Sequence, residues 1–290
     1  MFRRDWLIAL AFLAPALILL FGFTHYPAIQ TVIDSFWSTA RGRRPAVFVG
    51  WDNYARMVQD EIFRRAMINN AIYAAITIPA SVALALAMAL FVQSRILGRG
   101  FLRLAYFTPT VLPLIAVANI WLFFYLPGFG LFEQLRGWAG LSPRNWIGSP
   151  DTALYAVTAV TVWAQAGFFM IFYLAALQTI PPSLREAAAI EGCSPLTFFR
   201  RVTWPLIMPT TLFISVNATI NAFRTVDHIF VMTQGGPNNA SMLLLYYIYE
   251  QGFRFWDTAY ASALTVVMVV LLALVGIGQF FWLDRKVHYR

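Results

Sequence analysis

Ionisable side chains are what this chain is short of. Only 12% of its residues are charged, against about 25% in a typical soluble domain, too few to clothe a water-facing surface. Lys286 is the only lysine, and no GxxxxGK[ST] precedes it; this excludes ATP hydrolysis at a Walker P-loop of its own. Cys193 is the only cysteine, which excludes an internal disulfide and a cysteine metal cage. His25, His228 and His288 lie far apart without HExxH spacing, so no metal site is expected. Basic residues outnumber acidic ones, 21 to 13, for a net charge of +8. No contiguous basic stretch interleaves with aromatics, so nucleic acid is not an expected partner. In so apolar a chain the arginines serve topology and anionic lipid.

What the chain has is hydrophobic sequence, 60% of the total. Crossing roughly 30 Å of hydrocarbon takes about 20 apolar residues, and six runs qualify: 6–23, 66–92, 102–125, 153–177, 206–231 and 259–283. The expectation is an all-α, polytopic membrane protein with six transmembrane helices in a single domain over residues 1–290. The first run follows Phe2-Arg3-Arg4 like a signal peptide, but Thr24-His25-Tyr26-Pro27 lacks a small-residue cleavage pattern, so it reads as a retained anchor. Six spans leave both termini on one side. That side collects Arg3, Arg4, Arg95, Arg99, Arg103, Arg185, Arg200, Arg201, Arg285, Lys286 and Arg290 in short segments, and the excess marks it as cytoplasmic. On the other side, residues 27–65 mix Trp37, Trp51 and Tyr54 with acids and read as an interfacial lid. Residues 126–151 read as a compact outer loop. Pro79, Pro109 and Pro113 fall inside spans, where proline marks either a kink beside a cavity or plain packing.

The most informative polar interruption is the loop 181–205. Ser183-Leu184-Arg185-Glu186 has the S-x-x-E spacing of a capping box. Three alanines and Ile190 continue a helix, and Gly192 sits where a left-handed C-cap would fall. Ser194-Pro195 repeats the start signal, a cap followed by proline at the first helical position. A second helix over 196–202 should close at Pro205, giving two short helices hinged on Gly192. So short an exposed helix is marginal in water by itself, and its alanine face offers no core. Either it rests on the membrane surface or it docks on a partner that small side chains let come close.

This loop resembles the EAA-x3-G-x9-I-x-LP signature of binding-protein-dependent ABC importer permeases. Glu186, Ala187, Ala188 and Gly192 match in type and spacing, Val202 stands for isoleucine, and Trp204 replaces the leucine before Pro205. Gln178-x-Ile180-Pro181-x-x-Leu184, Thr233-x-Gly235-Gly236-Pro237 and Tyr260-Ala261-Ser262-Ala263 resemble the carbohydrate-importer branch, over essentially the whole length. The resemblance implies the type I importer fold, with a coupling helix around Glu186, Ala187, Ala188, Ala189, Gly192, Ser194 and Pro195 that docks on a cytoplasmic ATPase. It implies a second homologous permease as heterodimer partner, two copies of that ATPase, and an extracytoplasmic solute-binding protein. It places the chain in the bacterial cytoplasmic membrane with cytoplasmic termini. ATP and magnesium belong to the ATPase, so this chain has no cofactor and no catalytic residue.

The fifth run carries Asn217, Asn221, Arg224, Thr225 and Asp227. On a continuous helix, Arg224 would lie about 16 Å below Gly235, close to mid-membrane, where a charge needs a partner or a wet cavity. Asp227 is within helical reach of Arg224. Two readings stay open here: a mutually satisfied pair, or a polar face lining the solute path. Asn119 and Gln165 are further path candidates or, equally, interhelical hydrogen bonds. The expected cargo is a sugar or sugar-like solute. The tail Asp284-Arg285-Lys286-Val287-His288-Tyr289 resembles the glycerol-3-phosphate and glycerophosphodiester subgroup, and Arg224 could meet a phosphate or sulfonate. Of other classes, an ion-coupled secondary transporter has Asp227 alone to offer as its buried carboxylate. An intramembrane enzyme finds no Ser-Lys, Cys-His or paired-carboxylate set inside the spans.

Overall fold

The structure, a computed structural model, describes residues 2–94 and 97–284, with backbone only for 2–5, 7–8 and 282–284. Among the described residues there is no strand, only the isolated bridges Trp37↔Phe48 and Arg41↔Arg44. Arg95, Arg285, Lys286 and Arg290, the 285–289 part of the tail motif, and the Arg3 and Arg4 side chains lie outside the description. Among the described residues five helical stretches are long and apolar enough to cross a membrane: Ala9–Asp34, Glu61–Gln93, Ala153–Gln178, Pro195–Met232 and Thr258–Phe281. A bent pair makes a sixth if counted as one span. The chain divides into two compact units, Met1–Asp60 with Ile248–Val270, and Glu61–Tyr247 with Leu271–Arg290.

In the first unit, α1 (Phe2–Leu20) runs through a π-helical turn at Phe21–His25 into α2 (Tyr26–Asp34). The sequence suggests a stop near Phe23; the helix instead continues to Asp34. Pro27 falls in the first turn of α2, where its missing N–H costs nothing, and the wider π turn carries the chain past it. Apolar side chains such as Phe12 and Phe23 are more than four-fifths exposed, as suits a helix facing lipid. The lid then folds on α3 (Asp52–Gln59). Asn53 donates to the Ser35 and Trp37 carbonyls at 2.9 Å each, and Phe36, Trp51 and Tyr54 pack ring on ring.

Asp257 fastens this lid. Its carboxylate accepts from Thr39 Oγ1 at 2.7 Å, Arg56 at 2.8 Å and Arg41 at 3.3 Å. Tyr260 donates to Asp60 at 2.6 Å, with the Arg56 guanidinium 3.9 Å over its ring. Burial acts to raise the Asp257 pKa. Hydrogen bonds from Arg56 and Thr39, the Arg56 charge and the Tyr260 amide outweigh it and hold the carboxyl below its ordinary value.

In the second unit, α4 (Glu61–Gln93) packs on α8 (Ala153–Gln178) and α11 (Trp204–Arg224). Their core joins Ala85, Ala89 and Val92 to Phe169, Tyr173, Leu177, Ile207 and Ile214. Small residues on α4 let the backbones approach, as membrane bundles require. Gly167 does the same on α8: a Cβ there would run into the Tyr106 carbonyl oxygen. Tyr106 belongs to α5 (Arg99–Val111), which meets α6 (Leu114–Phe124) at 104°. The expected straight run 102–125 is therefore broken. Pro113 disfavours a helical conformation in the residue before it, and Leu112 is extended, with ψ 138. Residues 126–151, read as loop, contain α7 (Leu131–Trp138), and the buried Glu133 accepts the Arg144 N–H.

Candidate functional site: the coupling loop and the polar face of the fifth span

The second unit presents its polar loop where α4 and α8 both end. Gln93, near the last turn of α4, donates to the Leu177 carbonyl of α8 at 3.2 Å. Beyond them α9 (Pro182–Ile190) contains no buried residue. The helix starts two residues earlier than the capping box requires. Pro181 is the N-cap, Pro182 takes the first helical position and no side chain caps the end. A proline at that position has no amide to satisfy, so the Ser183–Glu186 exchange is not formed. Glu186 is left exposed, with no hydrogen bond or ion pair to another described residue.

The stop is as the sequence suggests. Gly192 has φ +68, the Cys193 N–H reaches the Ala188 carbonyl at 2.8 Å, and the Gly192 N–H reaches Ala189 at 3.1 Å. These are the two bonds of a Schellman turn. Ser194 then caps the Thr197 N–H at 3.2 Å, with Pro195 opening α10 (Pro195–Phe198). The second short helix does not close at Pro205. A π-helical turn over Phe199–Thr203 leads into α11, and Pro205 lies in the first turn of that helix, where its missing amide is harmless. The chain is thus helical from Pro195 to Arg224, with no loop between α10 and the fifth span.

Under the loop is a cavity of about 360 Å³, lined among others by Leu90, Gln93, Arg185, Ala189, Cys193 and Thr203. Ala188 and Ala189 turn toward it, while Ile190 is 88% and Leu196 67% exposed. A nine-residue helix with its apolar tips in solvent has no internal reason to keep its shape. Among the described residues no group of three or more His, Cys, Asp or Glu is placed to hold a metal ion.

The path candidates divide. Asn217, Asn221 and Arg224 share one face of α11, at four- and three-residue steps. Asn217 donates to its own helix at Phe213, and Asn221 lends its carbonyl to the Thr225 hydroxyl at 2.6 Å. Asp227 does not belong to that face. Thr225 turns extended, with ψ 120, and α12 (Asp227–Met232) begins afresh with Asp227 in its first turn. Arg224 and Asp227 are both exposed and form no ion pair, so the mutually satisfied pair is absent. Asn119 is exposed on α6 and bonds the Ile115 carbonyl; Gln165 on α8 has its Oε1 buried without a partner.

Sequence reasoning passed over one buried cluster. Tyr73 donates to Thr161 at 2.7 Å, and both lie within 3.3 Å of His228 Nε2. The four-residue spacing of Asn69, Tyr73, Thr77 and Ser81 along α4 was the available signal, because a polar stripe in a span must face protein.

These features define a class: an all-α membrane permease carrying a short helix pair on one face. The fold is that of an ABC importer's membrane subunit. It matches a chain of a bacterial ABC transporter involved in the import of the acidic polysaccharide alginate, with TM-score 0.84, 24% identity, 98% of this chain and 96% of that one. Residues 78–289 match the family of binding-protein-dependent transport system inner membrane components, and the chain belongs to that family. It is 34% identical to the sulfoquinovosyl glycerol transport system permease protein SmoG of Agrobacterium fabrum, over 92% of this chain and 87% of the relative. It is 31% identical to the sn-glycerol-3-phosphate transport system permease protein UgpA of Salmonella choleraesuis, over 100% and 98%. It is 32% identical to the trehalose/maltose transport system permease protein MalF of Thermococcus litoralis, over 84% of each chain.

Proposed function

We propose that this chain is one permease half of an ATP-driven importer that moves a sugar-like solute across the bacterial cytoplasmic membrane. Its partners are a second homologous permease, two copies of a cytoplasmic ABC ATPase that bind ATP and magnesium, and an extracytoplasmic solute-binding protein. The single observation that carries this reading is α9, without a buried residue, ended by a fixed Schellman turn and continued by α10 into the fifth span. In it, Glu186, Ala187, Ala188, Ala189 and Gly192 with Ser194 and Pro195 form the ATPase-coupling element. This face is cytoplasmic, as are both termini. Closure of the ATPase pair displaces α9 and α10, α11 follows because no loop intervenes, and the cavity between the two permeases turns outward to receive solute. The chain supplies positioning and a path; it does no covalent chemistry.

Asn217, Asn221 and Arg224, with Thr225 and Asp227 at the break and Asn119 and Gln165 on α6 and α8, are the residues proposed to meet the solute. Amides suit hydroxyl-rich molecules. Arg224, exposed and without an ion-pair partner among the described residues, favours a second reading in which the solute also carries a phosphate, sulfonate or carboxylate. Relatives named for sulfoquinovosyl glycerol and sn-glycerol-3-phosphate support it. The test is uptake by proteoliposomes of the assembled complex, with binding protein outside and ATP inside. Uptake that needs internal ATP and survives collapse of ion gradients is expected. Uptake without ATP that fails when the gradients collapse would instead support an ion-coupled transporter using Asp227.

A further inference from the structure

Arg64 and Arg65 open the first turns of α4 and are exposed, and neither makes a hydrogen bond or ion pair with another described residue. They line a cavity of about 390 Å³ with Glu61, Ile68, Asn238 and Asn239. Glu61 is not paired with either arginine, so the pocket keeps an excess of one positive charge. The side-chain amides of Asn238 and Asn239 are likewise without partners among the described residues.

The far wall of this pocket is Asn238 and Asn239, which directly follow the Thr233-x-Gly235-Gly236-Pro237 turn, a motif to which the transport mechanism gives no role. It is built to be rigid. Gly235, Asn238 and Asn239 have φ of +77, 50 and 58, which these residue types accept readily, whereas Gln234 at φ 49 is held there by its surroundings. Asn69 of α4 donates to the Asn239 and Met242 carbonyls at 2.9 and 3.0 Å, and Asn70 accepts the Leu244 N–H at 3.0 Å. Ser241 ties Gly236 to Thr233. Two buried asparagines of α4 thus lock the turn at a fixed height above the arginines.

The position decides what can reach it. Gln93 lies at the coupling face. At 1.5 Å per residue Arg64 is about 43 Å further along the same helix, beyond a hydrocarbon core about 30 Å thick. The pocket therefore opens on the face opposite the coupling loop, outside the hydrocarbon. Two free guanidiniums beside free amides on a rigid wall suit a carboxylate, which arginine binds bidentately. We infer that Arg64, Arg65, Asn238 and Asn239 form a docking pocket for an acidic side chain on the solute-binding protein, setting how that protein seats before release. This rests on the importer reading.

The test measures binding of the cognate solute-binding protein to the complete complex in nanodiscs, at low and high salt. Wild-type affinity should fall with salt. Arg64→Glu with Arg65→Glu should weaken it at least about tenfold at low salt and flatten the salt dependence. Arg64→Lys with Arg65→Lys should restore most of it, and Arg43→Glu, an exposed arginine outside the pocket lining, should change little. If the glutamate pair does not assemble, Arg64→Gln and Arg65→Gln singly serve in its place. Unchanged affinity and salt dependence in assembled variants would overturn the docking pocket alone. So would normal docking with lost uptake, which would make the pocket a solute subsite, or an effect confined to anionic-lipid nanodiscs, which would make it a lipid site. No binding of any such protein to the wild-type complex would overturn the importer reading and this inference together.

Discussion

Gly192 offers a test of the proposed coupling role, because two substitutions there differ in kind. At φ +68 an alanine Cβ would meet no heavy atom within 4 Å, so alanine suffers only the left-handed penalty, about 1–2 kcal/mol. That shifts the balance between formed and unformed turn by roughly 5- to 30-fold. Proline fixes φ near −65, roughly 130° away. It also removes the N–H that bonds Ala189 at 3.1 Å, and the neighbouring Cys193–Ala188 bond goes with the turn. A cost of about 3 kcal/mol or more corresponds to at least about 150-fold. No residue of α9 is buried, so neither change should disturb the membrane bundle. The assay is ATP hydrolysis and solute uptake by the reconstituted complex, with thermal unfolding as control. Gly192→Ala should keep uptake within several-fold of wild type. Gly192→Pro should assemble normally and lose at least about tenfold in uptake per ATP hydrolysed. A normal transport ratio in the proline variant would refute the coupling role of this turn, and equal losses in both variants would refute the argument from φ.

Other expectations concern separate parts of the chain. Asp257→Asn should loosen the lid by about 1–2 kcal/mol, a figure kept low because Arg41 and Arg56 are 71% and 52% exposed; faster hydrogen exchange over residues 39–60 would show it. The Asp257 pKa is lower folded than unfolded, so its contribution is full above the ordinary carboxylate value of about 3.9 and fades as pH falls through the folded value below it. Lid protection, measured as exchange relative to the intrinsic rate at each pH, should therefore fall on acidification below about pH 4 in wild type and less so in Asp257→Asn. Gly167→Ala drives a Cβ against the Tyr106 backbone and should destabilise the α5–α8 contact by about 1–3 kcal/mol; an unchanged melting midpoint in detergent would contradict that packing. Arg224→Ala should reduce uptake of an anionic solute more than of a neutral one, and equal uptake with normal assembly would remove Arg224 from the path.

Much of this was legible because lipid and backbone chemistry leave few choices. Long apolar runs became helices, and Gly192 and Ser194-Pro195 became the stop and start that their residue types suit. What was misread concerns prolines and breaks. The first run looks finished at Phe23 and Pro205 looks like a terminator, yet Pro27 and Pro205 each sit in a first turn after a π-helical segment, a widening that residue types do not announce. Pro182 moved the start of α9 and so dissolved the capping box. The break at Thr225-Val226 carries no glycine or proline. It separates Arg224 from Asp227, which the sequence alone would put on one face. The Asp257 clasp was hidden for another reason: its partners lie about two hundred residues away, at Thr39, Arg41 and Arg56, and no local pattern reports such a pairing.

The central claim is that α9 exists to be held by an ATPase. It is tested most directly by purifying the tagged chain in mild detergent and identifying what comes with it, for wild type and for Glu186→Lys. Wild type should bring down a P-loop ATPase and a second multi-span permease, and Glu186→Lys should keep the permease while losing the ATPase. A wild-type chain that purifies alone and stable, or a Glu186→Lys complex with its ATPase fully retained, would contradict the account.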